Sequence, residues 1–506
     1  MNRFLFALCF LIPLAAAAVE EPNFNEHIAP LIHQNCTECH RPGEAGPFSL
    51  ITFRDVSKRS KMLDRVISDR YMPPWHPVHG IVEYSNSRRL SDEQIALFSK
   101  WVEAGKPEGD PEKAPTPPKF PEGWQLGEPD LVVTMAEAYP VPADGRDIYR
   151  NFVLPLDLPE DKWVKAVELR PSARSAIHHS LFFLDTTGTA RKKDGEGGKP
   201  GFSGMGFRKS GSLGGYVPGS TPKKFPGDLA LPLPKGSDLV LATHFHPSGK
   251  AEMEQTKVGF FFADKPPSVK MESVQVPPGF GRGMKIDVPA GKADYKIEDT
   301  FKIPVDVRAI QINGHAHYIA QEMEMIATLP DGTVQPLLKI DDWDLDWQDN
   351  YIFADPIKLP AGTVLKTTII YDNSADNPDN PFSPPQRIKW GRESTDEMGC
   401  VTLMVVPDDT EKSRRLTAAN KINQVKILAQ VGQELQRTRV LDRLPQIVKE
   451  LDKNADGLLQ SGELPARMRK PLIEKLDEDG NDALDSEETE ALRQWLQTMR
   501  EKREKA

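Results

Sequence analysis

Eleven histidines occur in this chain of 506 residues, and none lies beyond position 317. After the N-terminal hundred residues they come only in tight groups: His178 with His179, His244 with His246, and His315 with His317. On a strand, side chains two apart share a face. The stretch Asn313-Gly314-His315-Ala316-His317-Tyr318 therefore predicts a strand that presents two imidazoles on one side. Two neutral imidazoles are half of a first-row metal site, and copper or zinc suits them. A lone His-x-His is as often a surface pair. The grouping of every later histidine is what argues for metal.

The surroundings of these groups read as β. Short alternating runs recur at 163–169, 180–184, 239–245 and 365–371, separated by clusters of Gly, Pro, Asp and Asn. That pattern predicts sandwiches, and the 45 prolines agree with long irregular connections. Two jelly-roll-like all-β sandwiches are expected, over 124–265 and 266–407. The Gly- and Lys-rich segment from Thr186 to Tyr216 reads as a long mobile loop.

The N-terminal residues set the compartment. Arg3, the apolar run Phe4 to Leu14 and the small residues Ala15–Ala18 form a signal peptide over 1–18, too short for a membrane span. The mature chain is expected to be periplasmic or secreted, with no membrane span. A net charge of −10 and a pI near 5.7 argue against nucleic acid as a partner. There are four cysteines: Cys9 leaves with the signal peptide, Cys36 and Cys39 share a motif, and Cys400 stands alone. No disulfide framework is available, so hydrophobic cores and metals must stabilise the fold.

Cys36-Thr37-Glu38-Cys39-His40 is C-x-x-C-H, the attachment signature of c-type heme: two thiols for the vinyl groups and a histidine for the iron. Phe24 to His33 and Ser91 to Ala104 read as flanking helices, the second capped by Ser91 and stopped by Gly105. The segment 20–107 resembles a small all-α class I cytochrome c domain, which implies one covalent heme c. In that family the second axial ligand is usually a methionine. Met72, in Tyr71-Met72-Pro73-Pro74-Trp75, fits best; Met62 reads as a helix core residue, and His76 or His79 would give bis-histidine iron. A Pro-, Lys- and Glu-rich stretch at 108–123 reads as a linker.

At the other end, 408–440 is expected to be a helical connector and 441–500 an α-helical EF-hand pair. The first loop offers Asp452, Asn454, Asp456, the Leu458 carbonyl, Gln460 and Glu463, with Gly457 at the sharp turn. The second offers Asp477, Asp479, Asn481, the Ala483 carbonyl, Asp485 and Glu488, but Asp482 replaces the glycine. One or two calcium ions are expected, the second bound more weakly.

The order His178-His179, Tyr216-Val217-Pro218-Gly219, Thr243-His244-Phe245, Gly314-His315-Ala316-His317 and Thr395-Asp396-Glu397-Met398 resembles the copper type II monooxygenase family of peptidylglycine α-hydroxylating monooxygenase and dopamine β-monooxygenase. The resemblance spans roughly 125–407. It implies two coppers: an electron-transfer copper on His178, His179 and His244, and a catalytic copper on His315, His317 and Met398. A thioether favours Cu(I), the state that meets O2. His246 has no counterpart in the family pattern. Asn313 stands where the peptide-amidating members carry an Arg for the substrate carboxylate, and Cys400 where they carry an Asn. These departures argue against a peptidylglycine or catecholamine substrate. No His follows Cys400 before Met404, which excludes a blue-copper arrangement and leaves Cys400 as an inert buried thiol.

The expected activity is hydroxylation of a C–H bond of a small organic substrate with O2. Electrons would come from an external donor, another cytochrome or an ascorbate-like reductant, through the heme to the two-copper centre. The alternative is a non-catalytic heme and copper protein that carries electrons or binds copper. Met398 separates the two, since a pure carrier has no need of a thioether in an open site.

Overall fold

The computed structural model describes residues 21–424, apart from 45, 122, 196, 205, 208, 219 and 221, and in the tail 451–454, 458–464, 473, 477 and 481–485. The expected signal peptide and the expected ligands Asp456, Asp479 and Glu488 lie outside the described residues. So does the connector beyond 424.

Sixteen main strands make four antiparallel four-stranded sheets. In the first half, Leu131–Thr134, Lys257–Phe262, Lys162–Arg170 and Leu231–Leu233 form one sheet. Ile148–Pro155, Asp238–Phe245, Ile177–Asp185 and Gly211–Tyr216 form the sheet that faces it. Alternate residues from both, including Phe152, Val164, Phe182, Leu241 and Phe260, meet in one buried core. The second half repeats the plan. Glu272–Val276, Gly399–Pro407, Val307–Ala316 and Tyr351–Leu359 form one sheet; Tyr295–Lys302, Val364–Tyr371, Ala320–Thr328 and Val334–Ile340 form the other. Ile312, Met323, Leu338, Ile369 and Val401 fill the space between them. The chain is thus mostly β, as two face-to-face sandwiches.

The segment expected to be a long mobile loop is in part structured. It carries a helical turn, Thr189–Lys193, and the edge strand Gly211–Tyr216. Phe202 and Phe207 pack with Val153, Phe183 and Val240 on the outer face of the sheet. The reason is visible in its composition: two phenylalanines among the glycines have apolar surface to bury.

Helices dominate only the N-terminal part. A π-turn at Phe24–Ile28 runs into Ala29–Asn35. Asp92–Glu103 begins at a capping box in which Ser91 and Gln94 satisfy each other's backbone N–H. Between them lies Phe53–Ser68, capped in the same way by Thr52 and Asp55. Val56, Leu63 and Ile67 on one face of this helix pack against Ile28, Ile32, Phe98 and Trp101.

The stretch after this helix leaves the helical module and lies against the second sandwich. Pro77 bridges to Ile340 and Tyr84 to Phe353, the edge strands of its two sheets. Tyr84 is buried, donates to the Leu337 carbonyl (2.8 Å) and packs its ring among Trp75, Tyr351 and Phe353. Beyond the second sandwich, residues 410–424 are helical. In the tail, Leu459–Gln460 pairs with Ala483–Leu484, which sets the two acidic loops side by side.

Candidate metal centres

The first histidine group is assembled by a fault in a ladder. Adjacent residues on a regular strand point to opposite faces, so His178 and His179 should not converge. Ile177 pairs with Phe245 and His179 with His244, and the register slips between them at His178. A bulge of this kind turns one side chain onto its neighbour's face. The nitrogens of His178, His179 and His244 consequently lie within 4.8 Å of one another.

The outer nitrogens of two of these rings are taken. His178 Nε2–H donates to Asp346 Oδ1 (2.7 Å) and His244 Nε2–H to Asp147 Oδ2 (2.7 Å). Those bonds fix the tautomers and leave Nδ1 as the free lone pair. The Nδ1 atoms of His178 and His179 stand 2.9 Å apart. His244 Nδ1 is buried and has no hydrogen-bond partner among the described residues. A buried nitrogen with nothing to bond is costly, and a metal ion between this atom and the paired Nδ1 atoms of His178 and His179 would satisfy it. Burial, aided by neighbouring His244, holds His179 well below its ordinary pKa, so the ring stays neutral and able to ligate. Tyr149 stacks on His244 at 4.2 Å. His246 does not join the cluster; it is exposed and bonds the other oxygen of Asp147 (2.9 Å).

The second group lies on the Val307–Ala316 strand and just beyond it, with the two rings 5.4 Å apart. Here the inner ring nitrogens are occupied. His315 Nδ1–H donates to Gln348 Oε1 (2.6 Å) and His317 Nδ1–H to the Asp396 carbonyl (3.1 Å). Nε2 of each remains for a ligand. Burial lowers the pKa of His315 to about 4 and, together with His315, that of His317 to about 3.

Met398 comes immediately before Gly399, which pairs with Ala316 at the end of the neighbouring strand. The ladder therefore delivers it beside His317. Met398 is buried, and its carbonyl accepts from the Tyr371 hydroxyl (2.9 Å). Cys400 stands opposite His315 in the same ladder, buried, with its thiol pushed up to about 12 by desolvation. That agrees with an inert thiol.

The two groups are linked through one connection of the second sandwich, whose Asp346 bonds His178 and whose Gln348 bonds His315. Phe280 packs on His315 at 5.1 Å, and the ammonium of Lys209 lies over the Phe183 and Phe280 rings at 3.6 and 5.8 Å.

In the helical module the C-x-x-C-H segment continues the turn of Ala29–Asn35, with Cys36 N–H bonded to the Ile32 carbonyl and His40 N–H to the Cys36 carbonyl. Cys36 and Cys39 are free thiols. His40 Nδ1–H donates to the Phe48 carbonyl (3.2 Å), which leaves Nε2 for an iron. Met62 packs into the helical core with Cys36 and Phe48, as a core residue should. Met72 follows the long helix, its N–H bonded to Val66 O. His76 Nδ1–H donates to the Asp342 carbonyl (3.0 Å), and its Nε2 is buried with no hydrogen-bond partner among the described residues, so it too keeps a nitrogen for a ligand. Cys39 borders a cavity of about 780 Å3 that Tyr216 and Arg174 of the first sandwich also line.

In the tail, Asn481 and Asp482 N–H both donate to the Asp477 carboxylate, and Glu463 accepts from Lys453 and Gln460 N–H. Asp147, Asp346, Gln348 and Lys209 were not singled out in the sequence. The acidic run Asp341-Asp342-Trp343-Asp344-Leu345-Asp346 was the one visible signal, and it looks like a solvated turn.

No family model matches the chain, and no curated protein matches it. Solved structures with some likeness include the major capsid protein P2 from bacteriophage PM2 (11% identity, 55% of this chain, 96% of that chain, TM-score 0.22). The infectious bursal disease virus VP2 subviral particle (8%, 55%, 72%, TM-score 0.17) and a Paenibacillus xanthan lyase (14%, 60%, 28%, TM-score 0.16) are others. At such scores the likeness carries no argument about function.

Proposed function

We propose that this protein is an exported copper-dependent monooxygenase that hydroxylates a C–H bond of a small organic substrate. The observation that carries the reading is the pair of imidazole groups linked by one loop of the second sandwich. The first presents Nδ1 of His178 and His244, the second Nε2 of His315 and His317, and the other nitrogen of each of these four rings is held by a protein acceptor. Three imidazoles suit both copper oxidation states, and a thioether from Met398 beside His315 and His317 favours the reduced one. When bound, heme and the first copper supply single electrons and the second copper supplies the O2 chemistry.

The residues of the chain do the rest. His178, His179 and His244 would hold one copper through three nitrogens. His315, His317 and Met398 would hold the other through two nitrogens and a thioether. Phe183, Phe280 and Lys209 border the space beside His315 where a substrate would lie. Residues 20–107 serve as the c-type heme module, with Cys36, Cys39 and His40 for attachment and Met72 as the second axial ligand. The tail serves as a calcium-binding EF-hand pair that stabilises the chain outside the cytosol.

The test is copper stoichiometry with substrate-dependent O2 uptake across variants. His244→Ala should lose the first copper and keep the second. Met398→Ala should lose Cu(I) affinity at the second site and turnover together. Heme should remain reducible in both. Full copper and full turnover in Met398→Ala would remove the main support for an oxygenase and favour a carrier.

A further inference from the structure

One loop touches both histidine groups. It joins the Val334–Ile340 strand to the Tyr351–Leu359 strand, so it belongs to the second sandwich. Asp346 on this loop accepts from His178 Nε2–H of the first sandwich (2.7 Å). Two residues on, Gln348 accepts from His315 Nδ1–H of the second (2.6 Å). We propose that the 341–350 loop registers the two metal centres against each other, with Asp346 and Gln348 as positioning residues, one for each centre. This rests on the two-copper reading for its consequences but not for its geometry.

The loop is built to be stiff. Trp343 and Leu345 are buried, and Trp343 N–H donates to the Gln321 carbonyl (2.9 Å). Asp346 N–H is bonded to Asp344 Oδ1 (2.8 Å), and the Gln348 amide donates to the Leu345 carbonyl (3.1 Å). The backbone of Asp346 and the side chain of Gln348 are therefore held before they meet an imidazole. The far end is fastened as well. Gln311 Nε2 donates to Asn350 Oδ1 (2.9 Å), tying the loop to the strand that carries His315. Arg88 pairs with Asp349 (2.5 Å) and Asn86 donates to the Asn350 carbonyl (2.7 Å), tying it to the N-terminal module.

An acceptor on the outer N–H of a ligand histidine fixes the ring's tautomer and aim, and its loss typically weakens metal binding by about 10–100-fold. What is unusual is the crossing. His178 takes its acceptor from the opposite sandwich, whereas His244 takes Asp147 from its own. Metal seated on His178 therefore also pins the second sandwich in place.

The experiment uses the full-length protein in two states. In metal-free protein with 15N-labelled histidine, His178 should be the Nε2–H tautomer and His315 the Nδ1–H tautomer. Asp346→Ala should release only the first and Gln348→Ala only the second. In copper-loaded protein, Asp346→Ala should weaken the first centre by about 10–100-fold and spare the second, with Gln348→Ala doing the reverse. Asp346→Asn and Gln348→Glu, which keep an acceptor oxygen, should recover most of the affinity. Asp346→Ala should also broaden the Cu(II)–Cu(II) distance distribution read by pulsed EPR, whereas Asp147→Ala should not. Unchanged tautomers, or equal loss at both centres from either variant, would overturn the proposal. Correct tautomers in a protein that binds no copper would sink the oxygenase reading and leave the positioning roles intact.

Discussion

At the scale of single residues, Glu397 offers a sharp test of the second centre. It is fully buried beside Met398, and its Oε1 accepts from His317 N–H (2.6 Å). Burial raises its pKa well above the ordinary carboxylate value, so it is held as a neutral acid. Glu397→Gln keeps the acceptor and should cost little. Glu397→Ala strands the buried His317 N–H and should cost about 1–3 kcal/mol, seen as a lower urea midpoint. The pH dependence follows from the sign of the shift. Between the unfolded value near 4.5 and the raised folded value, the folded protein holds the extra proton, so Glu397's contribution is complete below 4.5 and is lost as pH rises. Stability of Glu397→Gln relative to the parent should therefore improve from pH 4 upward; a constant difference would mean the carboxyl is not neutral. The histidine groups themselves were legible in the sequence because spacing alone marks them. Their acceptors were not. Asp346 lies 168 positions from His178 and Gln348 lies 33 from His315, and only the folded registers bring each pair together.

At the scale of elements, the runs at 163–169 and 365–371 match the strands Lys162–Arg170 and Val364–Tyr371 almost to the residue, because alternating burial writes itself into the sequence. The runs at 180–184 and 239–245 lie in the strands Ile177–Asp185 and Asp238–Phe245, which are buried on both faces and were marked by their apolar runs. The bulge at His178 was not, since a register slip depends on the partner strand. Nor was the packing of Phe202 and Phe207, which glycine-rich composition disguises. The acidic loops carry a prediction of their own. Asp482 has φ 63° at the sharp turn of the second loop, where the sequence of the first has Gly457. A side chain in the left-handed region costs about 1 kcal/mol or somewhat more. Asp482→Gly should relieve that, and calcium affinity of the second loop should rise roughly fivefold by calorimetry on the full chain. The loss of the Asp482–Ser461 hydrogen bond (2.5 Å) works the other way and bounds the gain. Weaker binding would show that this bond, rather than the turn, decides the loop.

At the scale of the whole molecule, the surprise is how the N-terminal module is attached. Composition marks 108–123 as a semi-rigid linker. The module is fastened to the sandwiches elsewhere as well. Val78 N–H donates to the Lys339 carbonyl, Ser85 N–H to the Ile352 carbonyl and Ala354 N–H to the Glu83 carbonyl, each at 2.8–2.9 Å. Tyr84 stands in the core of the second sandwich, and Glu44 forms an ion pair with Arg174 of the first. The backbone pairing is satisfied from both sides, so releasing it would expose several N–H and C=O groups along with a buried ring. A protease site engineered into 108–123 therefore gives a clear forecast. The nicked chain should still elute from a sizing column as one species, with the module bound through the 75–89 segment. Tyr84→Phe should leave that unchanged apart from a loss of about 1 kcal/mol in stability, the usual worth of one hydrogen bond. Tyr84→Ala opens a cavity among Trp75, Tyr351 and Phe353, a change that typically costs several kcal/mol, and should let the nicked fragments separate. Separation of the nicked but otherwise unaltered chain would mean that the linker alone holds the module.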